Sequence, residues 1–313
     1  EAQARVRRRL NVARWVQPAI GIVVAAFLVW RLWLVLVVQQ AYGPDVWVRF
    51  AISGIILGSV YAVIALGYTL VYGILFMINF AHGDVMMVGA FAGYFTLTAL
   101  GASGFANRSG VASVVSIAAA FAVGTLAAMA VAVTLERIAY RPLRRAPRLV
   151  PLISAIGASI FLQNAAQLMF SSIRRTYTNP SVLSRDQGFV LMRSDPPVVL
   201  TYTGAFTLVL SVALMIALYA IVQRTRLGRA MRAVAQDKQT AALMGIDVDA
   251  VIARTFAISG LLAGAAGVMW GVHNGIIYHY VGFIPGLKAF TAAVLGGIGN
   301  IPGAMVGGLF LGV

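Results

Sequence analysis

Asn79-Phe80-Ala81-His82-Gly83-Asp84 places an amide, an imidazole, a glycine and a carboxylate within six positions of an otherwise apolar stretch. Polar groups in such surroundings are costly unless they satisfy one another, backbone or water. Two readings stand side by side. In one, Asn79, His82, Gly83 and Asp84 form a break between two helical pieces, fixing its geometry or lining a route for a solute. In the other they make a tight turn at a membrane surface, and Asp84, just ahead of Val85-Met86-Met87, caps the next helix. A reading of another class makes His82 and Asp84 the acid–base pair of an intramembrane enzyme.

A second concentration comes late, at Gly296, Gly297, Gly299, Asn300, Pro302 and Gly303. Pro302 has no backbone N–H to donate, so this apolar run reads as two half-length segments around a bend. Such breaks are tolerated at membrane depth only where backbone faces protein or a wet cavity. Two glycine-interrupted segments in separate halves of one chain point to a transport site between structural repeats. Gly260, Gly264, Gly267, Gly271 and Gly275 instead have the spacing of a helix-packing face. Lys288, one of two lysines in the chain, either meets an anionic group of a substrate or snorkels to an interface, and snorkelling is the commoner use. His273 and His279 are six residues apart, off a common helical face, which argues against a shared metal.

A third segment, from Thr225 to Ile246, is basic and amphipathic and closes on Ala241-Ala242-Leu243-Met244-Gly245-Ile246. It either presents small residues to a partner's groove or lies on the membrane surface as basic amphipathic helices do.

The elements that must hold these residues follow from composition. Of 313 residues, 60% are hydrophobic and 11% charged, with a mean hydropathy of +0.88, against about 25% charged in a soluble domain. That excludes a water-soluble globular protein, because the apolar excess must face hydrocarbon. The net charge of +15 resides in short blocks between apolar runs, so it marks topology and does not indicate nucleic-acid binding. Absence of cysteine excludes disulfides, a thiol nucleophile and thiolate-held zinc or iron–sulfur centres. No phosphate-binding loop, metalloprotease pair, nucleophile elbow, arginine ladder or potassium filter occurs. The chain therefore binds no ATP through a phosphate loop of its own.

Apolar runs fall at roughly 18–38, 50–78, 84–100, 111–135, 150–170, 204–222, 255–280 and 287–313, each compatible with a span or part of one. Arginine and lysine cluster at Arg5, Arg7, Arg8, Arg9 and Arg14, at Arg137, Arg141, Arg144, Arg145 and Arg148, and at Arg224, Arg226, Arg229, Arg232, Lys238 and Arg254. With those three clusters cytoplasmic the spans alternate consistently and the loop 171–204 lies outside. The predicted fold is all-α, a polytopic transmembrane helical bundle with interrupted helices. An Arg-rich start followed by an apolar run also describes a secretory signal, but no small-x-small site follows, which favours a retained anchor helix. An apolar helix from 303 to 313 covers about 16 Å, half a bilayer core, so a further C-terminal span is expected.

Several of these stretches carry a resemblance: Gly58-Ser59-Val60-Tyr61-Ala62, Ile78 through Asp84, Glu136-Arg137-Ile138-Ala139-Tyr140-Arg141-Pro142, Ser154-Ala155-Ile156-Gly157, Gly228-Arg229-Ala230, Ala241 through Ile246, and Ala293 through Gly299. In this order they resemble the membrane permease of branched-chain amino acid ABC importers, over residues 46–313. Residues 1–45 lie outside it, as a basic extension with an added apolar anchor helix. The resemblance implies a multi-pass subunit of the bacterial inner membrane that pairs with a related second permease, two cytoplasmic ATPases holding ATP and Mg, and an external substrate-binding protein. It implies no enzyme activity in this chain. Ala241, Ala242, Leu243, Met244, Gly245 and Ile246 then match the coupling helix that docks into an ATPase groove. Asn79, His82, Gly83, Asp84 and the bend at Gly296, Gly297, Gly299, Asn300 and Pro302 become lining or hinge elements of the path. Related permeases on the same scaffold carry urea, short amides or aromatic acids. A passive channel for a small neutral solute is the alternative outside the ATP-driven class.

Overall fold

A computed structural model describes residues 21–24, 26, 27, 29–31, 33–35, 42–144, 146, 147 and 149–313. The anchor run 18–38 lies partly outside these, as do Arg5, Arg7, Arg8, Arg9, Arg14, Arg145 and Arg148. Contacts divide the chain into two units, 1–49 and 50–313. The described residues between 21 and 35 of the first unit are largely helical. The second unit holds the bundle.

Among the described residues, six helices are long and apolar enough to cross a bilayer. They are α1 (Pro44–Leu75), α2 (His82–Ala102), α3 (Gly110–Leu135), α4 (Leu149–Phe170), α5 (Tyr202–Arg224) and α8 (Val248–Asn274). Between α5 and α8 lie the short α6 (Arg226–Gln236) and α7 (Lys238–Leu243). The late apolar run is two short helices, α9 (Phe283–Leu295) and α10 (Ile301–Gly312).

Gly58 through Val71 of α1 are buried without exception. Apolarity alone does not single it out among the spans, which are apolar all round; its burial shows that α1 runs inside the bundle. It is held at short range by glycine. A Cβ on Gly58 would lie 2.9 Å from Leu309 backbone, one on Gly308 2.4 Å from Ala62, and one on Gly312 2.3 Å from Gly58. Gly54-x-x-x-Gly58 therefore meets Gly308-x-x-x-Gly312, which lets two backbones approach without side chains between them.

Around α1, the helices α2, α3 and α8 pack most extensively on one another. The glycine face of α8 serves this packing: Gly264 abuts α3 at Gly124 and Thr125, and Gly267 abuts Met86 and Ala90 of α2. Gly271 accepts the Tyr177 ring. Gly275 is different from its neighbours in the predicted stripe. At φ +81° it is the left-handed C-cap that ends α8 at Asn274, well short of the predicted 280, a position where glycine carries no Cβ penalty.

The loop 171–201 adds two small antiparallel pairs that the apolar pattern did not announce. Strand β1 (Arg175–Thr176) pairs with β4 (Ile276–Ile277), and β2 (Gly188–Met192) pairs with β3 (Val198–Thr201). Arg185 ties this loop to the end of α8, donating to the carbonyls of Val272 at 2.9 Å and Tyr177 at 2.7 Å. It thereby satisfies acceptors that a helix end leaves open. Burial holds the Arg185 guanidinium below its ordinary pKa range and the Tyr177 phenol above its own.

Candidate functional site

Helix α1 ends at Leu75, Phe76 takes a left-handed turn at φ +56°, and the chain turns back without regular structure until His82 opens α2. The His82 ring lies against Gly67 and Tyr68. Eight residues separate Gly67 from Leu75, which is about 12 Å of helix. The link 76–81 therefore climbs back along α1, and α2 starts beside the interior of α1.

Each polar group of this segment is buried, with Asn79 4%, His82 2% and Asp84 1% exposed, and each is held by a different element. The Tyr140 hydroxyl donates to Asn79 Oδ1 at 2.6 Å. Ser259 of α8 lies 3.3 Å from His82 Nδ1 and donates to the Gly67 carbonyl at 3.1 Å. Asp84 accepts from Ser159 Oγ at 2.5 Å and from Gln163 Nε2 at 3.0 Å, both on α4. Gly83 makes close backbone contact, since a Cβ there would meet Gly282 O at 2.5 Å and Gly286 Cα at 3.3 Å.

The surface-turn reading is corrected by this geometry. The N-cap of α2 is Ala81, which offers no side-chain bond, and Asp84 sits inside the first turn with its carboxylate committed to α4. Nor do His82 and Asp84 form an acid–base pair. Two positions apart on one helix, they point to α8 and α4 respectively.

At the other end of α9 the chain bends through Gly296, Gly297, Gly299 and Asn300. Gly297 and Gly299 hold φ of +85° and +94°, and Asn300 caps α10 by accepting from Gly303 N–H at 3.3 Å. Pro302 occupies the first turn of α10, where its missing N–H costs nothing. The break therefore comes from the two left-handed glycines and the asparagine cap. Gly296 and Gly303 pack backbone to backbone, and Gly299 lies beside Gly73. The bend does not join Asn79–Asp84. The start of α9 does, through Gly286 against Gly83 and Phe290 against Tyr68 and Phe80.

In the basic segment between α5 and α8, α6 buries Gly228, Met231 and Val234. Asp237 then caps α7, accepting from the amides of Gln239 at 2.8 Å and Thr240 at 3.2 Å and from the Thr240 hydroxyl at 2.7 Å. These bonds hold its carboxylate below the usual range. Burial, with Arg144 nearby, lowers the Lys238 ammonium. Helix α7 closes in a Schellman turn: Gly245 N–H donates to Ala242 O, Ile246 N–H to Ala241 O, and Gly245 takes φ +81°. Beside the exposed small residues Ala242 and Gly245 it presents two large apolar side chains. Ala241 is buried, while Leu243 and Met244 are 87% and 79% exposed.

Between this segment and the break lies a cluster that sequence reasoning missed. After α3 a single π turn, Glu136–Tyr140, buries both Glu136 and Tyr140. Arg144 pairs with Glu136 and, together with Arg141, with Asp249 in the first turn of α8. Glu136, Tyr140 and Arg141 all lie within a motif already singled out, so the residues were visible while their partners were not. Ser159 and Gln163, one helical turn apart on an apolar span, were the available sign of a polar contact on α4.

Residues 50–313 match the family model described as branched-chain amino acid transport system / permease component. The chain is 46% identical over 263 residues to the high-affinity branched-chain amino acid transport system permease protein BraD of Pseudomonas aeruginosa, covering 84% of this chain and 83% of that protein. It is 45% identical over 261 residues to the permease protein LivH of Escherichia coli K12, covering 83% and 82%. A probable branched-chain amino acid transport permease of Methanocaldococcus jannaschii is 28% identical over 267 residues, covering 83% and 78%. No solved structure matches the chain significantly.

Proposed function

The chain belongs to the branched-chain amino acid transport permease family, and from that premise we propose that it is the membrane-spanning subunit of an ATP-driven ABC importer for branched-chain amino acids. It is a multi-pass transport subunit of the bacterial inner membrane and not an enzyme. It works with a related second permease, two cytoplasmic ATPases that hold ATP and Mg, and an external substrate-binding protein.

One observation carries the ATPase docking. In a basic cytoplasmic segment, the capped helix α7 ends on two adjacent apolar side chains, Leu243 and Met244, set in the open by the left-handed turn at Gly245. An ATPase groove that takes up these side chains gains hydrophobic contact. Nucleotide-driven closure of the ATPases displaces α7, and α8 follows it through the four-residue connection 244–247. The polar ties of α8 to Gly67, His82 and Arg144 then carry the motion to the break between α1 and α2, and the path opens alternately to each side.

The test is uptake of radiolabelled leucine into liposomes holding the complete assembly, with the external binding protein supplied outside and ATP inside. The expected result is ATP-dependent uptake that a Gly245→Val chain loses, because valine is strained at φ +81°. Leucine flux through this chain alone without ATP makes it a passive facilitator instead. A panel that adds urea, short amides and aromatic acids names the cargo.

A further inference from the structure

Lys288 lies on an exposed face of α9, between the exposed Leu287 and Thr291. Its ammonium sits 5.5 Å from the ring centroid of Tyr61, and among the described residues it has no carboxylate partner. Tyr61 is the 18th of the 32 residues of α1, about 21 Å of helix from Leu75. An independent chain of contacts puts the next turn of α9 near the same level. Ala292, one turn beyond Lys288, packs on Gly307, whose neighbour Gly308 packs on Ala62 of α1. Lys288 is thus within about one turn of the middle of a spanning helix, Tyr61 being about 18 Å of helix beyond Arg49 and about 21 Å from Leu75, and its four-carbon stem does not carry the charge to an interface over that distance. Snorkelling fails on geometry.

A cation at that depth facing lipid costs more than one contact with an aromatic face returns. The face of α9 that bears it therefore borders water or polar groups, and intramembrane cations that do so mark solute pathways. The importer reading supplies a solute of matching charge, since an amino acid carries a carboxylate into the path while its own side chain is apolar.

Resting on that reading, we propose that the exposed face of α9 lines the translocation lumen and that Lys288 holds the carboxylate of the amino acid in transit, with the Tyr61 ring beside it. Tyr68 and Phe290, whose rings lie 5.9 Å apart, adjoin this face. Lys288 is then a binding residue of the passage, separate from selection by the external protein.

The chain has no cysteine, so Lys288→Cys introduces a single thiol into this subunit, to be assembled with cysteine-free partners. In the complete transporter it is treated with water-soluble methanethiosulfonates, beside a control on the spanning helix α4, Phe161→Cys, whose native apolar side chain is 67% exposed. Expected is reaction at Lys288→Cys at least tenfold faster than at the control. Expected also is loss of most leucine uptake in Lys288→Cys, with recovery after the aminoethyl reagent, which rebuilds a lysine-like cation, and none after the sulfonatoethyl reagent, which adds an anion. Equal labelling of the two positions places Lys288 against lipid or beneath a neighbouring helix and overturns the proposal. Equal uptake after either reagent overturns the carboxylate contact. An unmodified wild-type assembly that shows no ATP-driven uptake overturns the importer reading instead, and the labelling rates are read independently of it.

Discussion

Tyr140 and Asn79, 61 positions apart, are joined by a buried hydrogen bond of 2.6 Å from the phenol to the amide oxygen. Tyr140 closes the π turn after α3, and Asn79 sits in the link between α1 and α2. Tyr140→Phe keeps the ring against Phe256 but strands the Asn79 carbonyl. The loss is about 1–3 kcal/mol, read as a lower unfolding midpoint in detergent. Asn79→Ala combined with Tyr140→Phe costs less than the two singles added, because both remove one contact. Additive costs show that the bond contributes nothing.

The two arginines that follow part company in the same assay. Glu136 is 1% exposed and Arg144 15%, whereas Arg141 and Asp249 meet with about half of each side chain in solvent. Arg144→Ala leaves a buried carboxylate unpaired and destabilises by about 3–5 kcal/mol. Arg141→Ala changes little, since an exposed pair is screened. Replacing Glu136 and Arg144 together by leucine recovers most of the Arg144→Ala loss. Equal effects at Arg141 and Arg144 contradict the assigned burial.

Gly67 is required by a side chain on another helix. A Cβ there would lie 2.2 Å from His82 Nε2, so Gly67→Ala forces the imidazole off its place against Tyr68 and costs about 1–3 kcal/mol. His82→Ala vacates that space. The Gly67→Ala, His82→Ala double variant is therefore less destabilised than the sum of its parts, and strict additivity separates the two residues in space.

Acid acts on α7 through its cap. Asp237 accepts three hydrogen bonds, which lower its pKa in the folded chain. A carboxylate of depressed pKa contributes stability that is complete above its unfolded value, about 3.9, and is lost as pH falls through the folded one. Protection of the Gln239 and Thr240 amides, corrected for intrinsic exchange rates, is expected to hold from neutrality to about pH 4 and to fall below it. Asp237→Ala lowers that protection at neutral pH and flattens its pH dependence. A wild-type profile that declines between pH 7 and 5 runs against the assignment.

Spans were legible in the sequence because bilayer thickness dictates the length of an apolar run and charge ends it. The motif order showed the family, and the glycine runs marked where helices stop. What each helix faces was not legible. The spanning helices are apolar around their whole circumference, so periodicity gives no buried side. Asp84 is the clear case: its position before an apolar run predicts a cap, and only the neighbouring α4, with Ser159 and Gln163 at the same height, makes it a cross-helix acceptor.

Pro302 was the visible interruption in the late run, yet φ at Gly297 and Gly299 decides the bend. Lys288 was visible as an isolated charge, but its depth follows from α9 lying beside Tyr61 and Ala292 lying on Gly307. The chain's own order of residues determines that it enters the membrane, where it crosses and which segments interrupt the crossing, because those depend on transfer of local stretches from water to hydrocarbon. Which polar groups meet, and whether a charge faces lipid or a lumen, depends on contacts between residues far apart in the chain, as between Gly67 and Ser259 or Tyr61 and Lys288, and those come into being only when the helices pack.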